Sequence, residues 1–134
     1  MTIDNITLVT LQSVWQRISG SVVSLMTPGE VGRLIEACDD GRALVFANDE
    51  GVVIVTLQVA DMEFELLVVV AVGVGERLFD RYMPFLETLA VDLDARRIVF
   101  EPRRRGWARR LRGSEWTLRQ SDGMYVLEVG RGGR

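Results

Sequence analysis

The chain has 134 residues, 48% of them hydrophobic and 26% charged, with a formal net charge of −3. It contains no histidine, no lysine and one cysteine, Cys38. Those absences exclude an intrachain disulfide, a Ser-His-Asp or Cys-His nucleophile, a lysine Schiff base and a P-loop lysine, and they leave too few ligand types for a zinc site.

Residues 1–9 read as a short strand or ordered tail. Thr10 is placed to cap a helix whose apolar positions, Leu11, Val14, Trp15, Ile18, Val22 and Leu25, recur at spacings of three and four. Gly20 weakens it by about 1 kcal/mol relative to alanine. Thr27-Pro28-Gly29-Glu30 is a capping-box sequence with proline at the first helical position. Val31, Leu34, Ile35 and Cys38 then form the buried stripe, with Cys38 read as a small core residue. Asp40-Gly41 ends that helix.

Arg42–Asn48 and Val52–Val59 read as strands joined by a turn at Asn48–Gly51. Asp61-Met62 turns the chain into Glu63–Val72. The run Val68–Val72 shows no polar alternation, so it belongs at the centre of a sheet covered on both faces. Gly73-Val74-Gly75 follows directly. A helix is predicted from about Glu76 to Asp94, with an apolar stripe of Leu78, Phe79, Tyr82, Phe85, Leu86, Leu89, Ala90 and Leu93. Pro84 within it predicts a kink. A strand at Arg97–Glu101, a short helix at Arg104–Leu111 and a hairpin of Glu115–Gln120 with Met124–Val129 complete the chain.

The order β-α-α-β-β-β-α-β-α-β-β describes one α/β domain over residues 1–129. Its sheet is expected to be mixed and mostly antiparallel, with helices on both faces. Residues 130–134 are expected to be a flexible tail. The longest apolar run, Leu66–Val74, is far short of the ~20 residues of a membrane helix. No basic segment followed by an apolar run opens the chain, which predicts an unsecreted protein.

Charge is unevenly placed. Residues 96–134 hold 11 Arg against 4 acids, a net of +7, whereas residues 1–95 hold 5 Arg against 15 acids, a net of −10. Arg103, Arg104, Arg105, Arg109, Arg110 and Arg112 cluster around Trp107. The neighbouring acids, Glu101 and Glu115, are too few to neutralise them. Such a patch suits anionic or acidic partners, and Trp107 and Trp116 would supply anchors. A sequence pI of about 5.0 argues against a dedicated nucleic-acid binder.

The element order resembles the GNAT fold of N-acetyltransferases. The segments Val14-Trp15, Gly41–Val45 and Leu89–Leu111, the last containing Glu101-Pro102-Arg103-Arg104-Arg105-Gly106-Trp107, resemble small GNAT-like proteins encoded by tailed phages and prophages. In the family, amides of the loop after the central strand hold the pyrophosphate of acetyl-CoA, which implies Val72, Gly73, Val74 and Gly75 here. This chain departs from that pattern. The Arg/Gln that leads the family loop is missing, Glu76 places a carboxylate beside the loop, and no tyrosine lies near Trp107 to protonate a leaving thiolate. Glu63 and Glu65 read as solvated carboxylates, with a general base as the alternative role. Tyr82 and Tyr125 read as packing residues with wet hydroxyls.

The resemblance and its departures lead to three readings. The first is a non-catalytic GNAT-like protein acting through protein contacts, as a virion component or assembly factor in the virion or host cytoplasm, with no cofactor and no metal. Its partners would be other virion proteins or further copies of itself. The second is an acetyl-CoA-dependent N-acetyltransferase with a degenerate loop. The third is a nucleic-acid-binding accessory protein.

Overall fold

The computed structural model describes residues 5–73, 78–103, 109, 111 and 113–129, the side chains of 78 and 79 excepted. The elements run β1 (Thr7–Val9), α1 (Leu11–Leu25), α2 (Pro28–Asp39), β2 (Ala43–Ala47), β3 (Gly51–Ala60), β4 (Glu63–Gly73), α3 (Leu78–Asp92), β5 (Ala95–Phe100), β6 (Thr117–Arg119) and β7 (Met124–Glu128). The short helix expected at Arg104–Leu111 lies, apart from positions 109 and 111, outside the described residues.

Local chemistry explains the ends of the helices. The Thr10 hydroxyl accepts from the Ser13 amide at 3.2 Å and starts α1. At α2 the capping box is complete: the Glu30 amide donates to Thr27 Oγ1 at 3.2 Å, and the Thr27 amide donates to Glu30 Oε1 at 2.9 Å. Gly41, at φ +83°, carries the chain out of α2 in the left-handed region that glycine tolerates. The helix α3 passes through Pro84 without a break.

The strands form one seven-stranded sheet in the order β1-β2-β3-β4-β5-β7-β6. Among the described residues every pairing is antiparallel except β4 with β5. A parallel pair needs a crossover, and α3 supplies it. The valine-rich β4 is the middle strand, as its lack of polar alternation requires.

The sheet has a core on each side. Val14, Ile18 and Val22 of α1 and Leu34 and Ala37 of α2 pack on Val45, Val52, Ile54 and Val70. On the other face, Tyr82, Leu86 and Ala90 of α3 pack on Val53, Val55, Leu66, Val68, Ile98 and Phe100.

Val68 and Val70 are two residues apart yet lie in opposite cores. In a regular strand they would share a face. The register explains the inversion. Ile54 pairs with Val70 and Val55 with Val68, so Val69 is an extra residue in β4. That β-bulge lets one apolar run serve both cores.

The turn between β3 and β4 places both Asp61 and Met62 at positive φ, +53° and +65°. Two successive left-handed residues are the requirement of a type I′ hairpin, met here without glycine. The β2–β3 turn is built differently. Asn48 Oδ1 accepts from the amides of Glu50 (2.9 Å) and Gly51 (3.1 Å).

Candidate functional site

Among the described residues the sheet opens between β4 and β5. β4 and β5 pair from Phe64/Ala95 to Val68/Phe100. β5 then ends, but β4 continues to Gly73, still paired on its other side with β3 as far as Gly51. Among the described residues no strand pairs with Val69–Gly73 on the β5 side. The opening therefore begins at the bulge, at the C-terminal ends of the two parallel strands. In open α/β sheets such a crevice is where ligands bind.

Two of the four sequence-predicted cofactor positions can be placed there. Val72 is half-buried and pairs with Val52, while Gly73 is exposed and pairs with Gly51. Val74 and Gly75 lie outside the described residues.

The floor beside the opening is fixed by Tyr82. Its hydroxyl lies 2.9 Å from both Asn48 Oδ1 and the Gly51 carbonyl. Arg17 of α1 also reaches this turn, donating to the Asn48 carbonyl at 2.7 Å. Arg81 of α3 pairs with Glu50 at 3.1 Å. The Tyr82 hydroxyl, expected to be wet, is internal: the residue is 1% exposed. Tyr125 is also buried, stacked on Phe100 with ring centroids 5.5 Å apart. Trp116 meets Phe100 edge-on at 5.1 Å, so it packs against the core rather than standing out as an anchor.

The largest departure from the sequence reading is Glu65. It was expected to be solvated, but it is 0% exposed. A polar row crosses four strands in register, from Gln58 on β3 through Glu65 on β4 and Arg97 on β5 to Glu128 on β7. Gln58 Nε2 donates to Glu65 Oε1 at 3.0 Å, and Arg97 Nε donates to Glu65 Oε2 at 2.7 Å. Arg119 of β6 donates to both carboxylate oxygens and also pairs with Asp122 at 2.7 Å. Burial alone would raise the Glu65 carboxyl. The hydrogen bonds from Arg119, Gln58 and Arg97 outweigh it and hold the group at about 2.

Glu63, the other acid considered as a base, is also paired. Its carboxylate meets Arg97 at 2.8 Å and Arg96 at 3.4 Å. Arg97 adds a bond to the Ala60 carbonyl at 3.3 Å, which ties β5 to the β3–β4 turn. Among the described residues, no buried side-chain nitrogen or oxygen lacks a hydrogen-bond partner.

The arginine patch is only partly placed. Arg104, Arg105, Trp107, Arg110 and Arg112 lie outside the described residues, and Arg109 is exposed. Arg103 does not act as an outward-facing member. It pairs with Glu101 at 3.1 Å and with Glu30 at 3.0 Å, and it donates to the Leu25 carbonyl at 3.3 Å. The sequence reading weighed only nearby acids, and Glu30 is 73 residues away in the chain. The Thr27 amide and then the Arg103 side chain bring the Glu30 carboxyl down to about 2.

Among the described residues no group of histidine, cysteine or acidic side chains is arranged to hold a metal ion. No helix among them is long and apolar enough to cross a membrane. Comparison of the chain with known protein families and with curated proteins gives no match.

Proposed function

We propose that this chain is a GNAT-like scaffold that works by docking to other proteins and does not carry out acyl transfer. The fold part of the reading is supported by the succession of elements, the parallel pairing of β4 with β5 and the α3 crossover. The observation that carries the functional part is Glu65. A general base at neutral pH needs a carboxylate that can take a proton near that pH. Glu65 is instead committed to two arginines and a glutamine. Glu63 is held by Arg96 and Arg97, and the Tyr82 hydroxyl by the β2–β3 turn.

An exposed apolar corner favours docking. Leu57 and Val59 of β3 and Phe64 of β4 are 41%, 64% and 43% exposed, and Met62 in the turn between them is 96% exposed. Val59 and Phe64 are directly paired, so they share a face. A cluster of large apolar side chains left in water marks a contact surface. The phage or prophage setting, with virion proteins or further copies as partners, rests on the sequence resemblance. Arg103 is withdrawn from the patch by Glu30 and Glu101, which weakens the nucleic-acid reading.

A second reading keeps acetyl-CoA as cofactor in the opening between β4 and β5, and the unpaired β4 end favours it. Calorimetric titration with acetyl-CoA separates the two. The docking reading predicts no saturable binding below millimolar concentration and no acetyl transfer to amine substrates. Sub-millimolar binding that Gly73→Asp abolishes would establish the second.

A further inference from the structure

Resting on the docking reading, we infer that the exposed apolar corner of the β3–β4 hairpin, formed by Leu57, Val59, Met62 and Phe64, seats a segment of a partner protein that combines large apolar side chains with arginine or lysine.

The corner continues the core on the α3 side of the sheet. Val55 and Leu66 belong to that core. Leu57 and Val59 follow Val55 along β3 without a shift of register, and Phe64 lies two residues before Leu66. All three therefore share the face that α3 covers further up the sheet. Leu57 pairs with Leu66, and Val59 with Phe64. α3 ends at Asp92, and the chain passes through Leu93 and Asp94 into β5. Past the residues that the helix covers, Leu57, Val59 and Phe64 are exposed. Burying them against another apolar surface is favourable.

The turn holds Met62 outward at a cost. Asp61 and Met62 both have left-handed backbone, which disfavours residues that carry a Cβ. Glycine or asparagine would form the same turn more readily. The tip nevertheless carries a methionine that is almost wholly exposed. Backbone strain of this kind persists where a side chain serves a contact. Methionine, flexible and polarisable, suits an apolar docking surface.

Charge selects the partner. Asp61 precedes Met62 in the turn, and Asp94 precedes Ala95, the residue paired with Phe64. Asp92 closes α3, whose last turn holds no basic residue, so the negative end of the helix dipole adds to these acids. All three aspartates are exposed, and among the described residues none of them is ion-paired. Glu63, between Met62 and Phe64, is already held by Arg96 and Arg97. The charge left unspent beside the corner is therefore negative. A segment with arginine or lysine bordering its apolar side chains gains from it, whereas an acidic segment is repelled.

The test uses the intact chain and labelled peptides of equal length, one of leucine and arginine, one of leucine and glutamate, and one of serine and arginine. Affinity is read by fluorescence anisotropy, and the contact by backbone amide shifts in NMR. The leucine–arginine peptide is expected to bind about tenfold or more tightly than either of the others and to shift the amides of Leu57–Phe64. Met62→Gly removes the apolar tip and relieves the turn. It should not lower the thermal midpoint, and it should weaken binding about fivefold or more. Asp61→Asn combined with Asp94→Asn keeps side chains that tolerate left-handed backbone and should weaken binding by a similar factor. Equal binding of either control peptide, amide shifts confined to other residues, or unchanged affinity in either variant would overturn the inference. So would a dimer in sedimentation velocity that Met62→Gly dissociates, because a second copy would then cover the corner. Acetyl-CoA is titrated in parallel. Its binding would remove the docking reading, whereas failure of the peptides without acetyl-CoA binding removes this inference alone.

Discussion

Arg97 Nε donates to Glu65 Oε2 at 2.7 Å, joining the parallel strands β4 and β5 through a charge that no solvent reaches. A buried carboxylate is stable only when its oxygens are satisfied, and Gln58 and Arg119 complete the set. Removing the carboxylate takes one acid from two largely buried arginines and leaves Arg97 with Glu63 and Arg119 with Asp122. Glu65→Gln is expected to cost about 1.5–3 kcal/mol, read as a lower urea midpoint at unchanged slope. Replacing Glu65, Arg97 and Arg119 together by apolar residues should cost less than the single change.

The same carboxylate gives the protein an acid-sensitive component. Its folded pKa, about 2, lies below its ordinary value of 4.5, so its ionised form stabilises the fold fully above 4.5. That contribution declines as pH falls from 4.5 toward 2. The wild-type chain should lose stability through this window, and Glu65→Gln should show a shallower loss. Urea unfolding at a series of pH values measures both slopes, and parallel slopes would contradict the assignment.

The capping box, the succession of elements along the chain as far as β5 and the central place of β4 were readable in the sequence, because each depends on neighbours in the chain or on hydrophobic period. Thr27-Pro28-Gly29-Glu30 specifies its own hydrogen bonds, and Gly41 its own backbone angle. The Glu65 site was not readable. Its alternation with Phe64 and Leu66 is what a solvent-facing position shows, and its burial comes from Arg119, 54 residues further on. A partial signal did exist: Gln58, Glu65 and Arg97 fall in register once the strands are paired. The bulge at Val69 left no signal, since a run of valines looks the same in either register.

Arg103 links the exit of β5 to the start of α2. Arg103→Ala removes a hydrogen-bonded partner of Glu30, while the Thr27 amide remains. The Glu30 carboxyl should then titrate above its present value of about 2 but stay below 4.5. NMR titration of the Glu30 side chain reads this directly, and an unchanged titration would show that Arg103 does not hold it.

Tyr82 and Asn48 secure the β2–β3 turn from the side of α3. Tyr82→Phe deletes one hydroxyl near two acceptors and should cost about 0.5–1.5 kcal/mol. Asn48→Ala should cost more, because the amides of Glu50 and Gly51 lose their acceptor as well. Thermal unfolding of the two variants supplies the ranking, and the reverse order would contradict this account of the turn.

The account depends on a scaffold that docks to partner proteins and does not take acetyl-CoA in the opening beside β4. Isothermal titration of the intact chain with acetyl-CoA tests this most directly. No saturable heat at sub-millimolar ligand is the result expected. A saturable curve in that range, abolished by Gly73→Asp, would contradict it.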